Sequence, residues 1–361
     1  MKSDLVLEPS RWQPQSVTKS TVGVCDLIRR NDEESAEVFV GRTKARGDAA
    51  AIRNLFVGGE GQLPEGKNIT IPSRDSQRMI ECRVVDPNNG DDSSPTGIFL
   101  HFHGGGLSVG RHDMNDALLL RYAKSSRCRV ISVGYRLAPE DPYPSGVQDC
   151  FDVADYFVEK HENYDGLPVQ VIGGESAGAF LTMQVLFHLL GKYPDLNTIK
   201  ALVLAYGLYT WSFLPGVYTN PDSVCLNPSK LDIFRDLALT SNPTLTTILR
   251  DFDTEFGSLQ TTDADIYDSP LKHPVFSPIY RHFDAVGSRL PPALFVAGTA
   301  DPLVDDTILM SARWQMAQGS AVTRFVPGAP HAFAEVPIES GDCCVDHNEI
   351  VKEFLGEKLA S

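Results

Sequence analysis

The residues VQVIGGESAGAF, which begin at position 169, place one serine between two glycines directly after an apolar run. The run Val169–Ile172 is typical of a short buried strand, and Ala177–Leu190 has the length and apolar content of a helix. Ser176 therefore lies at a strand-to-helix corner, where Gly174 and Gly178 leave room for a sharp turn. This pattern predicts a nucleophile elbow, in which the serine hydroxyl stands clear of the sheet edge.

A serine hydroxyl is a weak nucleophile at neutral pH and needs a neighbouring base. Two later strands end in loops that carry suitable side chains, Asp301 in GTADPLVDD and His331 in PGAPHAF. Because loops after parallel strands open at the same sheet edge, we expect both to reach Ser176. His331 would take the serine proton, and Asp301 would orient the imidazole. Two rivals are less well placed, since Asp305 lies within the next helix and His347 is expected at the surface of the last one.

The stretch IFLHFHGGGLSVG ends a predicted strand in one histidine and three glycines. Attack on an ester carbonyl forms an oxyanion, and backbone N–H groups can approach it only where no side chain intervenes. His103 and Gly104 are expected to support this loop rather than to transfer protons. A metal site at His101 and His103 lacks a third ligand, and no nucleotide-binding motif is complete, so no metal or cofactor is predicted. The predicted oxyanion donors are the N–H groups of Gly105, Gly106 and Ala177.

The elements around these residues alternate between strand-like and helix-like segments from about residue 79 onward. This alternation predicts an α/β fold with a mainly parallel sheet and helices on both faces. One helix is predicted from Ser145 with a capping box over Ser145–Gln148, a second over Leu303–Gln318, and a last one over His347–Leu359. The predicted strands are Met79–Val85, Gly97–Phe102, Arg129–Val133, Val169–Ile172, Ala201–Ala205, Ala293–Ala297 and Val322–Val326.

Two regions interrupt the alternation. Residues 1–70 are polar and predicted to be irregular, apart from one helix around Asp48–Phe56. The gap between the strands that end at Ala205 and start at Ala293 is much longer than a simple crossover needs. Its prolines and its early aromatic residues favour a cap that forms one wall of a pocket. We therefore predict a catalytic domain over 71–361, with a cap insertion at about 207–275 to which the N-terminal segment 1–70 contributes.

The composition narrows the range of partners. The chain of 361 residues has a net charge of −15, which argues against nucleic acid and anionic membrane surfaces. No apolar run approaches the roughly 20 residues of a membrane span, and no signal-peptide core opens the chain. Seven cysteines without a C-x-x-C pair indicate free thiols in a reducing compartment. A cytoplasmic location is predicted, while the sequence specifies no oligomeric state.

Several motifs together resemble the hormone-sensitive-lipase-like esterases over about 79–361. They are HGGG at 103–106, GYRLAPEDPYPSGVQD from Gly134, GESAG at 174–178, DPLVDD at 301–306 and the late His331. The resemblance implies an α/β-hydrolase fold with a helical cap, no cofactor, and carboxylic esters as substrates, usually with short acyl chains. The chain departs from the usual family pattern at Gly134, Glu175 and Ala179, which leaves the subfamily and the substrate open.

These observations predict a serine carboxylic ester hydrolase that acts through an acyl-enzyme on a small or medium ester. An alternative is a non-hydrolytic enzyme of the same fold, either a lyase or dehydratase or an acyltransferase, because the same oxyanion donors stabilise an enolate. A third hypothesis is that the protein is a small-molecule receptor. Receptors that resemble this family have lost the catalytic histidine, so the joint presence of Ser176, Asp301 and His331 argues against it.

Overall fold

The computed structural model of the protein describes residues 7–44, 63–75, 77–87, 94–160, 164–239, 269–283 and 286–360. They form an eight-stranded sheet with the strands in the order β1-β2-β4-β3-β5-β6-β7-β8. Strands β3 to β8 run parallel to one another, whereas β2 is antiparallel to both β1 and β4. The strands are β1 (Lys67–Pro72), β2 (Met79–Val85), β3 (Ile98–Phe102), β4 (Arg129–Val133), β5 (Val169–Glu175), β6 (Ala201–Ala205), β7 (Ala293–Gly298) and β8 (Ala321–Val326).

The mainly parallel sheet is as the sequence predicts, and each of the seven predicted strands is present within a few residues of its expected ends. Strand β1 was not predicted. It lies at the edge of the sheet, and most of its residues are exposed or half-buried. An edge strand of this kind lacks the continuous apolar run by which buried parallel strands are recognised.

Eight α-helices lie within the described residues. Helix α1 shows that the expectation of an irregular N-terminus is wrong, and the helix predicted around Asp48–Phe56 falls outside the described residues. The last helix begins at Asp342, earlier than predicted. The helices are α1 (Lys19–Lys44), α2 (Asp116–Ser126), α3 (Ser145–Glu159), α4 (Ala177–Lys192), α5 (Pro215–Thr219), α6 (Pro228–Leu239), α7 (Val304–Met316) and α8 (Asp342–Leu359).

The capping box predicted at Ser145 does not form. Ser145 is already inside α3, its N–H donates to the carbonyl of Pro142, and the residue before the helix is Pro144, which offers no side-chain cap. The start of α3 is held instead by Asp149, whose buried carboxylate accepts hydrogen bonds from the backbone N–H and the guanidinium of Arg136. The motif around Tyr135 thus fixes the exit of β4 to the next helix.

Successive residues of a strand point to opposite faces of the sheet. The central strands are apolar on both faces, and helices cover both of them. In β3, Leu100 packs into an apolar cluster with residues of α3, α4 and α7. The preceding residue, Phe99, packs into a second cluster with residues of α1, α2 and α8. The central strands are therefore buried on both faces, which matches their nearly continuous apolar sequences.

The carboxylate of Asp149 balances two guanidinium groups, those of Arg78 and Arg136. Its side chain is fully buried, so Asp149→Ala is expected to lower the free energy of unfolding by about 3 kcal/mol in urea titrations. The control is Asp26→Ala, which removes an exposed partner of Arg29 on helix α1 and should cost less than about 1 kcal/mol. Equal losses in the two variants would contradict a stabilising role for the buried cluster.

Candidate active site

Ser176 occupies the tight corner between β5 and α4. Its backbone has φ 55° and ψ −117°, a conformation that L-residues rarely adopt and that costs about 1–3 kcal/mol. A Cβ built at Gly174 would lie 2.2 Å from the carbonyl oxygen of Phe102, and one at Gly178 would lie 1.9 Å from it. Both positions therefore require glycine, because the end of β3 fills the space that a side chain would need.

The structure brings the three predicted catalytic side chains together. His331 Nε2 lies 2.9 Å from Ser176 Oγ, and His331 Nδ1 lies 2.9 Å from Asp301 Oδ2. The second oxygen of Asp301 accepts the N–H of Leu303 at 2.8 Å, which fixes the carboxylate. With the ring proton on Nδ1 and donated to Asp301, Nε2 is free to accept the serine proton. Hydroxyl, imidazole and carboxylate thus form one hydrogen-bonded line.

The two other acids at the start of α7 have different partners. Asp305 accepts the N–H of Gly216 at 2.7 Å. Asp306 accepts the N–H groups of Tyr209 and Thr210 at 2.7 and 3.1 Å. Burial raises the pKa of Asp306 to about 8. These carboxylates fasten the segment after β6 to α7, and the structure places Asp301 rather than Asp305 against His331.

The glycine loop after β3 borders the same space as Ser176. Gly105 and Gly106 have φ values of 108° and 58°, and a Cβ on Gly106 would lie 2.4 Å from the ring of Phe234. In the described part of the chain, no loop or turn hydrogen bond engages the N–H of either glycine. Ala177 is the first residue of α4, where a helix leaves its N–H groups unpaired. The three predicted donors therefore have N–H groups available around the serine.

His103 lies beneath this loop. Its Nδ1 is 2.8 Å from the carbonyl oxygen of Gly104, and its ring stacks on Tyr135 with centroids 4.2 Å apart. The Tyr135 hydroxyl donates to the carbonyl of His103 at 2.7 Å. Burial lowers the pKa of His103 to about 3, so the imidazole stays neutral at ordinary pH. These contacts accord with the expected supporting role of His103 and Gly104.

A cavity of about 110 Å³ opens onto Ser176 and His331. Its walls combine the glycine loop with residues from the segment after β6 and from α6, among them Trp211, Leu231 and Phe234. The aromatic cluster expected to form a pocket wall is only partly present there: Trp211 lines the cavity, whereas Tyr206 and Tyr209 do not. The cavity is mainly apolar, with Lys230 and Glu335 as its charged or acidic lining residues.

The N-terminal helix contacts the wall of this cavity through one side chain. Asp32 of α1 accepts the N–H of Cys225 at 2.7 Å and pairs with the ammonium of Lys230 at 2.8 Å. Lys230 also donates to the carbonyl of Cys225 at 2.9 Å. Cys225 and Lys230 both line the cavity, so helix α1 holds part of its wall in place.

A buried polar network surrounds Glu175, the residue before Ser176. Glu175 accepts hydrogen bonds from His101 at 2.8 Å and from the hydroxyl of Tyr122 at 2.7 Å. Burial alone would raise the pKa of Glu175, but these two partners lower it below its ordinary value. The expectation that His347 lies at the surface is wrong: α8 packs on α2, and the buried His347 lies 3.3 Å from the Tyr122 hydroxyl. Burial lowers the pKa of His347 to about 4.

Sequence reasoning missed Glu335, although it lines the cavity together with Ser176 and His331. Glu335 ends a short 3-10 turn, Phe333–Glu335, in the loop that carries His331. The only sequence signal was an acid shortly after the catalytic-type histidine in HAFAE. Asp32 was likewise unrecognisable, because its partners Cys225 and Lys230 are far away along the chain.

A family model described as "alpha/beta hydrolase fold" matches residues 99–335, which is more than half of the chain. The protein therefore belongs to this family, and the predicted fold class is confirmed. The predicted resemblance to hormone-sensitive-lipase-like esterases, and the carboxylesterase-like hydrolase that it implies, agree with this family membership.

Solved structures of three esterases are similar to the protein over most of its length. A hyperthermophilic esterase from the archaeon Pyrobaculum calidifontis is 21% identical, with a TM-score of 0.66 over 90% of this chain and 98% of that one. The ester-hydrolase EH1AB1 from the metagenome of Lake Arreo is 20% identical, with a TM-score of 0.72 over 96% and 100%. The thermophilic carboxylesterase EstE1 from a metagenomic library is 22% identical, with a TM-score of 0.67 over 88% and 97%.

Metal-binding clusters and membrane-spanning helices are both absent from the described residues. These residues contain no group of three or more histidine, cysteine, aspartate or glutamate side chains arranged to hold a metal ion. Among the helices in these same ranges, none is long and apolar enough to cross a membrane.

The raised pKa of Asp306 predicts a pH-dependent stability. In the folded state the Asp306 carboxyl keeps its proton up to about pH 8. In the unfolded chain the same group is ionised above about pH 4. The free energy of unfolding therefore falls as the pH rises between these two values. Asp306→Asn keeps the acceptor oxygen without the titration. Its free energy of unfolding relative to wild type should therefore rise from about pH 5 to about pH 8 in urea titrations.

The companion variant Asp306→Ala leaves the N–H groups of Tyr209 and Thr210 without their acceptor, so it should destabilise the protein at every pH. A difference between Asp306→Asn and wild type that stays constant across this pH range would show that Asp306 does not hold its proton in the folded state.

Proposed function

We propose that the protein is a serine carboxylic ester hydrolase that works through an acyl-enzyme on small or medium esters with short acyl chains. The observation that carries this proposal is the hydrogen-bonded line from Ser176 through His331 to Asp301, which ends in a cavity beside the glycine loop. In this proposal Ser176 is the nucleophile, His331 the general acid and base, and Asp301 the group that orients the imidazole.

In the acylation step, Ser176 Oγ attacks the ester carbonyl carbon while its proton moves to His331 Nε2. The carbonyl π electrons move onto oxygen, and the resulting oxyanion accepts hydrogen bonds from the N–H groups of Gly105, Gly106 and Ala177. When the tetrahedral intermediate collapses, the bond to the alcohol oxygen breaks. The leaving alcohol takes the proton from His331, and the acyl group stays on the serine.

In the deacylation step, water replaces the alcohol. Its oxygen attacks the acyl carbon, and His331 Nε2 takes one of its protons. Collapse of the second intermediate breaks the bond to Ser176 Oγ, which recovers its proton from His331. The products are the carboxylic acid and the free enzyme, and Asp301 stabilises the imidazolium in both steps.

We infer that the residues after β6 and the helix α6 act as the cap, with the N-terminal segment attached to it. The wall formed by Trp211, Leu231 and Phe234 supports this division, and so does the contact of Asp32 with Cys225 and Lys230. A space of about 110 Å³ between this wall and the glycine loop favours a short acyl chain, because a long one would need the wall to move.

The triad assignment predicts the loss of hydrolysis in single variants. Ser176→Ala and His331→Asn should each lower kcat/KM for 4-nitrophenyl butyrate by about 10⁴-fold or more, and Asp301→Asn by about 10⁴-fold. A fluorophosphonate probe should label wild type but neither Ser176→Ala nor His331→Asn, because the probe reacts only with an activated serine.

The matched control is Asp305→Asn, which alters an acid in the same motif that bonds Gly216 instead of His331. It should stay within about 3-fold of wild type. Wild-type turnover no faster than that of Ser176→Ala on acetate, butyrate and decanoate esters would remove hydrolysis as the activity. Labelling without hydrolysis would instead favour a non-hydrolytic reaction at the same serine.

The size of the cavity predicts a preference for short acyl chains. We expect kcat/KM for 4-nitrophenyl butyrate to exceed that for the decanoate by about 10-fold or more, because each methylene that does not fit costs binding energy. Phe234→Ala should reduce this ratio by opening the wall over Gly106. Tyr218→Ala, at a 58% exposed position outside the cavity, is the control and should keep the wild-type ratio. An unchanged ratio in Phe234→Ala would show that this wall does not limit chain length.

A further inference from the structure

The turn that carries Glu335 is fixed by its backbone. The N–H of Glu335 donates to the carbonyl of Ala332 at 3.0 Å, and its own carbonyl accepts the side-chain amide of Asn115 at 3.0 Å. The preceding carbonyl, that of Ala334, accepts the guanidinium of Arg121 at 2.8 Å. Two side chains at the start and middle of α2 therefore hold this turn, and with it the direction in which the Glu335 side chain leaves the chain.

The carboxyl group of Glu335 lies beside the nucleophile and the glycine loop. Its Oε1 is 3.4 Å from the hydroxyl of Tyr206, which packs edge-on against the ring of His331. A Cβ built on Gly104 would lie 3.5 Å from that same Oε1 and also 3.5 Å from the Cβ of Ser176. The carboxyl and the serine therefore border one point next to the loop.

Glu335 also lines three separate cavities. The first is the cavity of Ser176 and His331. The second has a volume of about 10 Å³ and lies behind the glycine loop. The third, also about 10 Å³, lies between α2 and the turn and is lined by Asn115 and Arg121. In the described part of the chain, Glu335 is the residue common to the walls of all three. The polar groups around the second cavity include those of His101, His103, His112, Ser132 and Glu175.

A cavity of this volume holds about one water molecule, provided that two to four polar groups can bond it. The second cavity meets this condition through its imidazole, hydroxyl and carboxyl groups. The cavity beside Ser176 is mainly apolar and would be occupied by the acyl chain during turnover. A water that attacks the acyl-enzyme therefore has a polar route past Glu335 rather than through the apolar wall.

Burial and the neighbouring charge of Glu175 raise the pKa of Glu335 to about 8, so its carboxyl is neutral at pH 7. The neutral form matters for its position, because a carboxylate beside Gly104 would oppose the negative charge of an oxyanion. The titratable and charged groups that surround it come from several elements. They are Glu175 at the end of β5, Tyr206 after β6, Arg121 of α2, His331 of its own loop, Lys230 of α6, and His101, His103, Arg111 and His112 around the second cavity.

We propose that Glu335 is a positioning residue that holds the water which hydrolyses the acyl-enzyme, an inference that rests on the function proposed above. One hydrogen of this water bonds to the carbonyl oxygen of the Glu335 carboxyl and the other to His331 Nε2. The water oxygen then forms the new bond to the acyl carbon, and its proton goes to His331. Glu335 itself neither gains nor loses a proton in the step, and its neutral carboxyl acts on deacylation alone, because acylation consumes no water.

Stopped-flow kinetics with 4-nitrophenyl butyrate separate the two steps, since the burst of 4-nitrophenol reports acylation and the steady state reports deacylation. Glu335→Leu should keep a burst rate within about 3-fold of wild type and lower the deacylation rate by roughly 10- to 100-fold. With methanol added, the ratio of methyl ester to carboxylic acid should rise by a similar factor, because methanol present in excess does not depend on the route past Glu335.

The conservative variant Glu335→Gln keeps an acceptor oxygen without a titrating proton. It should restore deacylation to within about 3-fold of wild type at pH 7. Wild-type acylation and deacylation should both slow as the pH rises through about 8, because the ionised Glu335 opposes the oxyanion that forms in each step. This decline should be absent in Glu335→Gln. Glu339→Leu, at an exposed position in the following turn, is the matched control and should behave as wild type.

The outcomes separate this inference from the proposed function. A wild type without a burst and without fluorophosphonate labelling would overturn the hydrolase itself. A normal wild-type burst, with Glu335→Leu giving the wild-type product ratio in methanol, would overturn only the role of Glu335. Should Glu335→Leu fail to fold, the pH profile of Glu335→Gln decides, and a decline near pH 8 that persists in this variant counts against the proposal.

Discussion

The site depends on how closely the end of β3 approaches the corner between β5 and α4. The carbonyl oxygen of Phe102 occupies the space where Gly174 and Gly178 would otherwise carry side chains. Ser176 lies between these two close contacts, and its backbone has an unusual conformation. Such a conformation persists where the surrounding chain holds it in place. Since the glycine loop continues directly from the same strand end, one close backbone contact fixes the positions of Ser176 and of the predicted oxyanion donors relative to each other.

Two acids near Ser176 and the glycine loop have pKa values shifted in opposite directions. Glu175 stays ionised because His101 and Tyr122 bond it, although it is completely buried. Glu335 has one long hydrogen bond, from Tyr206, and keeps its proton partly because Glu175 is already charged. Environments that push two pKa values apart are a general means of giving neighbouring carboxyl groups different tasks. Here the charged acid supports the scaffold, and the neutral one faces the cavity.

The strands and motifs that were predicted correctly are those that strong local sequence patterns encode. The buried parallel strands are nearly continuous apolar runs, and GESAG, HGGG and the late Asp301 and His331 follow strand ends, so their convergence followed from the sheet topology. Helix α1 and strand β1 were missed because polar, partly exposed segments carry little periodic signal.

Other features depend on contacts between distant parts of the chain, which no local pattern records. His347 is polar and lies near the start of the last helix, yet the packing of α8 on α2 buries it. Ser145 has the spacing of a cap, but the turn from Pro142 already places it inside the helix. Glu335 lies beside Gly104 and Tyr206 only in the folded chain, so its place at the cavity could not be predicted from local sequence.

The attachment of Asp32 to Cys225 and Lys230 has a consequence for how the shape of the cavity can change. Ser176, Asp301 and His331 lie at the sheet edge, whereas part of the cavity wall is held by a helix near the start of the chain. Substitutions in that helix can therefore reshape the chamber without disturbing the reacting atoms. The shape of the cavity and the arrangement of the three hydrogen-bonded side chains thus depend on separate stretches of the polypeptide, and one can diversify while the other is kept.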